Sequence, residues 1–293
     1  MASSLPSNGR LVNMGTRSLA LYTHGPEPSS SKDPVVLFIS GVPSDVLHWQ
    51  AVVRLLCPSQ RSYTYDRSGY HNSEASPLAP SAENVARELS LLIENAPIPN
   101  PLILVRHSWA GMLIHYALVM NVSDPIFWTV AADVDPYSAW GVEAEHKLTR
   151  EKWDAFRAAE AAEKYKLIAR KEDFENYMPN FETLRKKELS KKQPLVGDKS
   201  GYVIVGTRSR DWGGLYKAGV AKGNGTEEQR SYVRELIKTV DAKNEGLMKK
   251  SLKLSTKSAP VFATESGHCL QMAQPEFVVD GVKWVLHNLP ASS

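Results

Sequence analysis

Cysteine is scarce: Cys57 and Cys269 are the only two in 293 residues, too few for a disulfide framework, so a reducing, cytoplasmic setting is expected. Charge of one sign is scarce as well. The 35 Lys and Arg against 32 Asp and Glu leave +3 at pH 7, which gives no reason to expect nucleic acid or an anionic membrane as a partner. Long apolar runs are missing, since the stretch from Met112 to Met120 is short and broken by His115, and no transmembrane helix is expected. The segment Met1 to Arg10 has no basic start followed by an apolar core, so no secretory signal is expected there. There is no glycine-rich phosphate loop. The histidines at 24, 48, 71, 107, 115, 146 and 287 are scattered, with no His, Cys and carboxylate cluster at metal spacing, so neither a cofactor nor a metal is expected. The sequons Asn121-Val122-Ser123 and Asn224-Gly225-Thr226 read as chance matches.

What is present is an ordinary globular balance, 42% hydrophobic and 23% charged, long enough for one large domain with an insertion. Residues 10 to 23 read as a hairpin about Gly15-Thr16. Short, wholly apolar runs follow at Val35 to Ile39, Pro101 to Val105, Ile126 to Ala132, Tyr202 to Val205 and Ala259 to Ala263. Such runs are strands buried on both faces of a mostly parallel sheet flanked by helices. Helical spacing appears over Ser81 to Asn95, Gly111 to Met120, Thr226 to Leu252 and Pro275 to Leu289. The alternation predicts an α/β fold. Between Tyr137 and Asp198 the chain is charge-rich and strand-poor, which predicts a helical cap or lid over residues 137–198, with 1–136 and 199–293 forming the core.

The decisive segment is Leu102-Ile103-Leu104-Val105-Arg106-His107-Ser108-Trp109-Ala110-Gly111, a buried strand running into a helix with serine at the turn. A nucleophile elbow needs that serine on a strained strand-to-helix turn with small residues two before and two after it. Ala110 and Gly111 meet the requirement on the far side, and Arg106 departs from it on the near side. Taken alone, the segment fits a serine capping a helix equally well. Two other segments add weight. Val35 to Ile39 leads into Ser40-Gly41-Val42-Pro43, where the Val42 amide could face an anion together with that of Trp109. Near the C-terminus, Ser266-Gly267-His268 places a histidine just after the last apolar run, in the order expected of a general base.

With these residues the chain resembles the α/β-hydrolase superfamily along its length. The match includes Tyr65-Asp66-Arg67-Ser68-Gly69-Tyr70, which looks like the loop after the family's fourth strand, and Gly267-His268 followed by Gln271 and Pro275-Glu276. The resemblance implies Ser108 as nucleophile, His268 as its base, and the Val42 and Trp109 amides as oxyanion hole. The acid follows either of two strands in this family. Asp133, at the end of the run Ile126 to Ala132, is favoured, and Asp211, in the loop after Tyr202 to Val205, is the alternative; Asp135 reads as a turn residue with Pro136. Ser40 stands where the family often has histidine, a change that bears on support of the oxyanion loop, and Cys269 reads as a structural cysteine.

The implied activity is hydrolysis of an ester, lactone or thioester through an acyl-serine intermediate, since the serine disfavours the epoxide and dehalogenation chemistry that uses aspartate there. Tyr137, Trp140, Trp153 and Trp212 suggest an apolar small-molecule substrate, their alternative role being core packing. The motif wording is similar to filamentous-fungal members, which implies secondary metabolism. The rival readings are lyase or cyclase chemistry in the same pocket, and a ligand-binding protein whose elbow Arg106 has spoiled.

Overall fold

The computed structural model describes residues 5–113 and 124–289. β1 (Gly9–Asn13) and β2 (Ser18–His24) form an antiparallel hairpin with Asn13 opposite Ser18. Gly15 turns the chain at φ +88°, a conformation glycine adopts without a side-chain penalty, and its N–H donates to Asn13 Oδ1 at 2.7 Å. β3 (Val35–Ile39) is apolar and buried at every position because it lies in mid-sheet. It pairs in parallel with β4 (Ser62–Tyr65) on one side and β5 (Leu102–Arg106) on the other, and β2 closes on β4 in antiparallel register, giving the order β1-β2-β4-β3-β5. Helix Ala82–Asn95, capped by the Ser81 side chain on the Asn84 amide, turns Leu89 and Leu92 into a core with Leu19, Leu21, Val35, Leu37, Ile39, Tyr63 and Tyr65.

A second sheet consists of β6 (Gly201–Gly206) and β7 (Ser258–Ala263) in parallel. Around it lie helices Arg208–Ala221, Glu227–Ser251 and Glu276–His287. The long helix begins with a complete capping box: the Thr226 hydroxyl accepts from the Gln229 amide, and the Gln229 side chain accepts from the Thr226 amide. The stretch expected as a cap is helical, with Arg150–Ala161, Glu163–Arg170, a π-helical turn Lys171–Asn176 and Tyr177–Lys186.

The chain divides into two compact units, the first holding 5–113 and 148–192, the second 124–147 and 193–289. The run Ile126 to Ala132, expected as a strand, is instead helix Pro125–Val130 followed by a turn. Its cause is local: proline occupies the first turn, and the Asp124 carboxylate accepts from the amides of Ile126 and Phe127 at 2.9 and 3.0 Å, a start signal that outweighs the apolar run. Phe127 and Val130 then pack with Trp212, Leu215, Val233 and Val240. The helix expected over Gly111 to Met120 falls largely outside the described residues, which show a 3-10 turn over Ser108–Leu113. No helix among the described residues is long and apolar enough to cross a membrane.

Leu37 is 0% exposed in mid-sheet, so Leu37→Ala is expected to cost about 3 kcal/mol. Thr226→Ala, which removes half of the capping box, should cost about 1 kcal/mol. Urea denaturation of the two variants checks both size and order; equal losses would contradict the burial argument.

Candidate active site

The elbow belongs to the first unit. β5 stays in register with β3 through Ile39 opposite Arg106, and the His107 amide continues the ladder to the Ile39 carbonyl at 3.2 Å. The chain then reverses at Ser108, whose φ of +54° lies in the left-handed region. That conformation costs a non-glycine residue of order 1–3 kcal/mol and persists only where the surroundings impose it. Ser108 is exposed, while Trp109 and Ala110 after it are buried. Gly41 presses on this turn: a Cβ there would stand 2.9 Å from both the His107 carbonyl oxygen and Ser108 Cβ. Glycine is therefore required at 41 for the loop after β3 to reach the elbow.

That loop is fixed from several sides. The Ser40 hydroxyl donates across it to the Asp45 carbonyl at 2.9 Å and accepts from Trp49 Nε1 at 3.1 Å, so serine spans the loop by itself where the family often has histidine. Val42 packs with Trp109, Ala82 and Val85, which brings the two expected oxyanion residues into one cluster. Asp45, fully buried, accepts from the Leu47 amide and pairs with His71 Nε2 at 2.8 Å and with His48 Nδ1 at 3.5 Å. Burial alone would raise the Asp45 carboxyl, but the two imidazoles override it and hold it well below the usual carboxylate range. Burial pulls His71 down, and the Asp45 carboxylate more than reverses this, so its pKa is raised. His71 itself sits at φ +35°. This support was not read from the sequence, where His71 looked isolated; the one local signal is Asp45 capping Val46–Trp49.

The second unit holds His268 and both candidate acids. His268 follows β7, and its backbone N–H donates to Asp211 Oδ2 at 2.7 Å. Asp211 lies not in a loop but in the first turn of helix Arg208–Ala221, 2% exposed. Burial pushes it up to about 6 against the lowering pull of that N–H. The fit is close, because a Cβ on Gly267 would stand 1.8 Å from Asp211 Oδ1 and one on Gly206 would stand 2.2 Å from the Gly267 carbonyl oxygen. Thr207 N–H donates to Ser266 O at 2.7 Å, so the end of β6 and the histidine loop are bound backbone to backbone.

Asp133 is placed otherwise. The strand it was to end is a helix, and Asp133 occupies an exposed turn at φ +54° with its backbone carbonyl bonded by Lys222 Nζ. Asp135 caps helix Pro136–Ala139 through the Tyr137 amide. Among the aromatic candidates, Trp140 stands edge-on to His268 with ring centroids 6.4 Å apart, and Tyr137 packs on Trp140 at 5.7 Å. Trp212 packs against Phe127 in the core of the second unit, and Trp153 packs on Phe156 in the first. Cys269 is buried and Cys57 half-buried, and neither is in a disulfide. Arg106 is half-buried on β5 without a hydrogen bond or ion pair among the described residues, and burial lowers its pKa.

A serine on a left-handed turn after a parallel strand, and a histidine loop seated on a buried carboxylate, are the parts of an α/β-hydrolase. The alpha/beta hydrolase family model matches residues 36–281, and the chain belongs to that family. It is 24% identical over 299 residues to an AB hydrolase superfamily protein of Gibberella zeae, covering 92% of this chain and 91% of that protein. It is 28% identical over 310 residues to a probable transporter, efuK, of Hormonema carpetanum, covering 96% of this chain but 43% of that protein, so the chain spans less than half of this relative's length. Among solved structures, the CarC serine hydrolase of carbazole degradation superposes with a TM-score of 0.58 at 13% identity, over 95% of this chain and 98% of that one.

Two outcomes follow. His71 has a raised pKa, so its share of stability is complete below the unfolded value of about 6.5 and is lost as pH rises through the folded value; Asp45, depressed, contributes above about 4 and is lost only at strongly acid pH. The melting-temperature gap between wild type and His71→Asn should therefore be widest near pH 5–6 and shrink toward pH 9, whereas a gap constant with pH would show that the imidazole charge does not matter. Arg106→Met keeps the volume and removes a half-buried charge that has no partner among the described residues, so it should raise the melting temperature by a few degrees. A lower melting temperature would mean that the guanidinium is stabilising.

Proposed function

We propose that this protein is a serine hydrolase in which Ser108 attacks the carbonyl of an ester, lactone or thioester, His268 takes the Ser108 proton, and the Val42 and Trp109 amides hold the oxyanion. Collapse of the tetrahedral intermediate releases the alcohol or thiol, protonated by His268, and leaves an acyl-Ser108 that water hydrolyses by the same steps. The observation that carries this reading is the left-handed φ of +54° at Ser108, strain with no structural purpose in an ordinary helix cap but needed to present a nucleophile clear of its own backbone.

In this reading the acid is Asp211 and not Asp133. Asp211 is buried against the His268 backbone, whereas Asp133 is exposed on a turn. An ionised Asp211 would hold the imidazole in the tautomer that accepts from serine and stabilise the imidazolium that results. An apolar substrate is supported by Trp140 beside His268 with Tyr137 behind it, the helical insertion 137–198 serving as its cap. The absence of a disulfide at Cys57 and Cys269 fits a reducing compartment, and the fungal relatives fit a role in fungal secondary metabolism.

Ser108→Ala and His268→Ala should each lower turnover of p-nitrophenyl butyrate by about 10,000-fold or more without altering the melting temperature greatly. Asp211→Asn should lose about 1,000-fold, and Asp133→Asn less than twofold. Wild-type kcat should decline as pH falls through about 6, where Asp211 takes up its proton. Full activity of Ser108→Ala would overturn the mechanism, and the reverse ranking of the two aspartates would move the acid to Asp133.

A further inference from the structure

One guanidinium touches both segments that supply the proposed oxyanion amides. Arg67, in the loop after β4, is 3% exposed. Its Nη2 donates to the Gly41 carbonyl at 2.6 Å and the Ser44 carbonyl at 3.2 Å, bracketing Val42. Its plane also lies over the Trp109 ring, 5.7 Å from the centroid, and over the Tyr70 ring at 5.0 Å. The fork also grips Glu172, Nη1 donating to Oε1 at 2.7 Å and Nη2, shared with the carbonyls, to Oε2 at 3.1 Å. Glu172, 4% exposed, takes a further bond from the Tyr70 hydroxyl at 2.6 Å. It stands in the π-helical turn Lys171–Asn176 of the insertion, an irregularity that recurs at functional sites. The next helix adds a second tie, Asn180 Oδ1 accepting from the Ala82 amide at 2.7 Å, beside Trp109 and Val42.

Stability alone does not explain this arrangement. Burying an ion pair costs several kcal/mol per ion in desolvation, and apolar replacements of the same volume are often as stable. Arg67 Nε is left buried without a partner, a further cost. What an arginine fork supplies and an apolar side chain does not is direction, with two backbone carbonyls and a bidentate carboxylate fixed about one rigid plane. Oxyanion donors act only when preset at 2.7–3.1 Å from the developing charge.

We propose that Arg67 and Glu172 are a positioning pair that presets the Val42 and Trp109 amides, with the insertion supplying the carboxylate as part of the catalytic frame. The proposal rests on the acyl-serine reading. Glu172→Gln leaves the fork one carboxylate oxygen short, and Arg67→Lys replaces it with a point charge that cannot meet four acceptors at once. Tyr70→Phe removes one bond to Glu172 and nothing else.

The test is the rate of Ser108 labelling by a fluorophosphonate probe, located by mass spectrometry, in the full chain and these variants. The limiting rate kinact is read apart from the half-saturating concentration KI, because phosphonylation develops charge at the same amides. Glu172→Gln and Arg67→Lys should lower kinact by about 30- to 100-fold and Tyr70→Phe by about 3- to 10-fold, with KI within about twofold, as expected when an oxyanion donor is displaced. A merely structural pair would lower the melting temperature and leave kinact of the folded protein unchanged, and that result overturns the proposal. Should Glu172→Gln or Arg67→Lys fail to fold, Tyr70→Phe decides alone, unchanged kinact again overturning it. A wild type that does not label at Ser108 instead overturns the acyl-serine reading, and the positioning role with it.

Discussion

Parallel pairing of β3 with both β4 and β5 is the constraint from which the first unit's site derives. Parallel strands end on the same edge, so the loops after them must meet. After β3 comes Gly41, after β4 Arg67, and after β5 Ser108, three residues from separate parts of the chain that are brought together by strand direction alone. The buried strand holds the edge firm, and the loops pay for their unusual conformations out of it. Ser108 and His71 both take positive φ there, and both are held by neighbours that leave the backbone little freedom.

The same edge concentrates buried charge. Asp45, Asp66, Arg67 and Glu172 are all almost wholly buried, and each is met by specific partners. Asp66 accepts from the Tyr22 hydroxyl at 2.6 Å and the Asn72 amide at 3.3 Å, yet burial still lifts it to about 6. A site assembled in this way is rigid because its polar groups have few alternative partners in an apolar interior. The second unit uses the same economy around Asp211, which is seated on glycine backbone where no larger residue fits.

Much of this was legible in the sequence because it is local. Wholly apolar runs mark β3, β5, β6 and β7, and the serine at a strand end, the Gly41-Val42 pair and the histidine after β7 announce themselves by order and neighbours. The run Ile126 to Ala132 was misread because a short apolar stretch has no periodicity to separate strand from helix, and Asp124-Pro125 just before it was the cue that decided the outcome. Asp133, favoured for ending that strand, stands instead on an exposed turn after a helix. Asp211 lay beyond four polar residues that form the start of a helix and not a long loop. The supports of the loop after β3 left little local trace beyond Asp45 as a helix cap, since Asp45 with His71 and Arg67 with Glu172 are polar pairs closed across the fold.

Neither compact unit is continuous along the chain, and this affects how the protein emerges from a ribosome. The sheet of the first unit is complete once β5 has been made, but Arg67 and Glu172 are 105 residues apart. At about 5–20 residues per second, the guanidinium waits of order 5–20 s for its carboxylate. Through that interval the edge of the sheet carries an uncompensated cation that favours hydration over closure. The loop after β3 thus gains its last tie, to the insertion, well after the turn at Ser108 has been made.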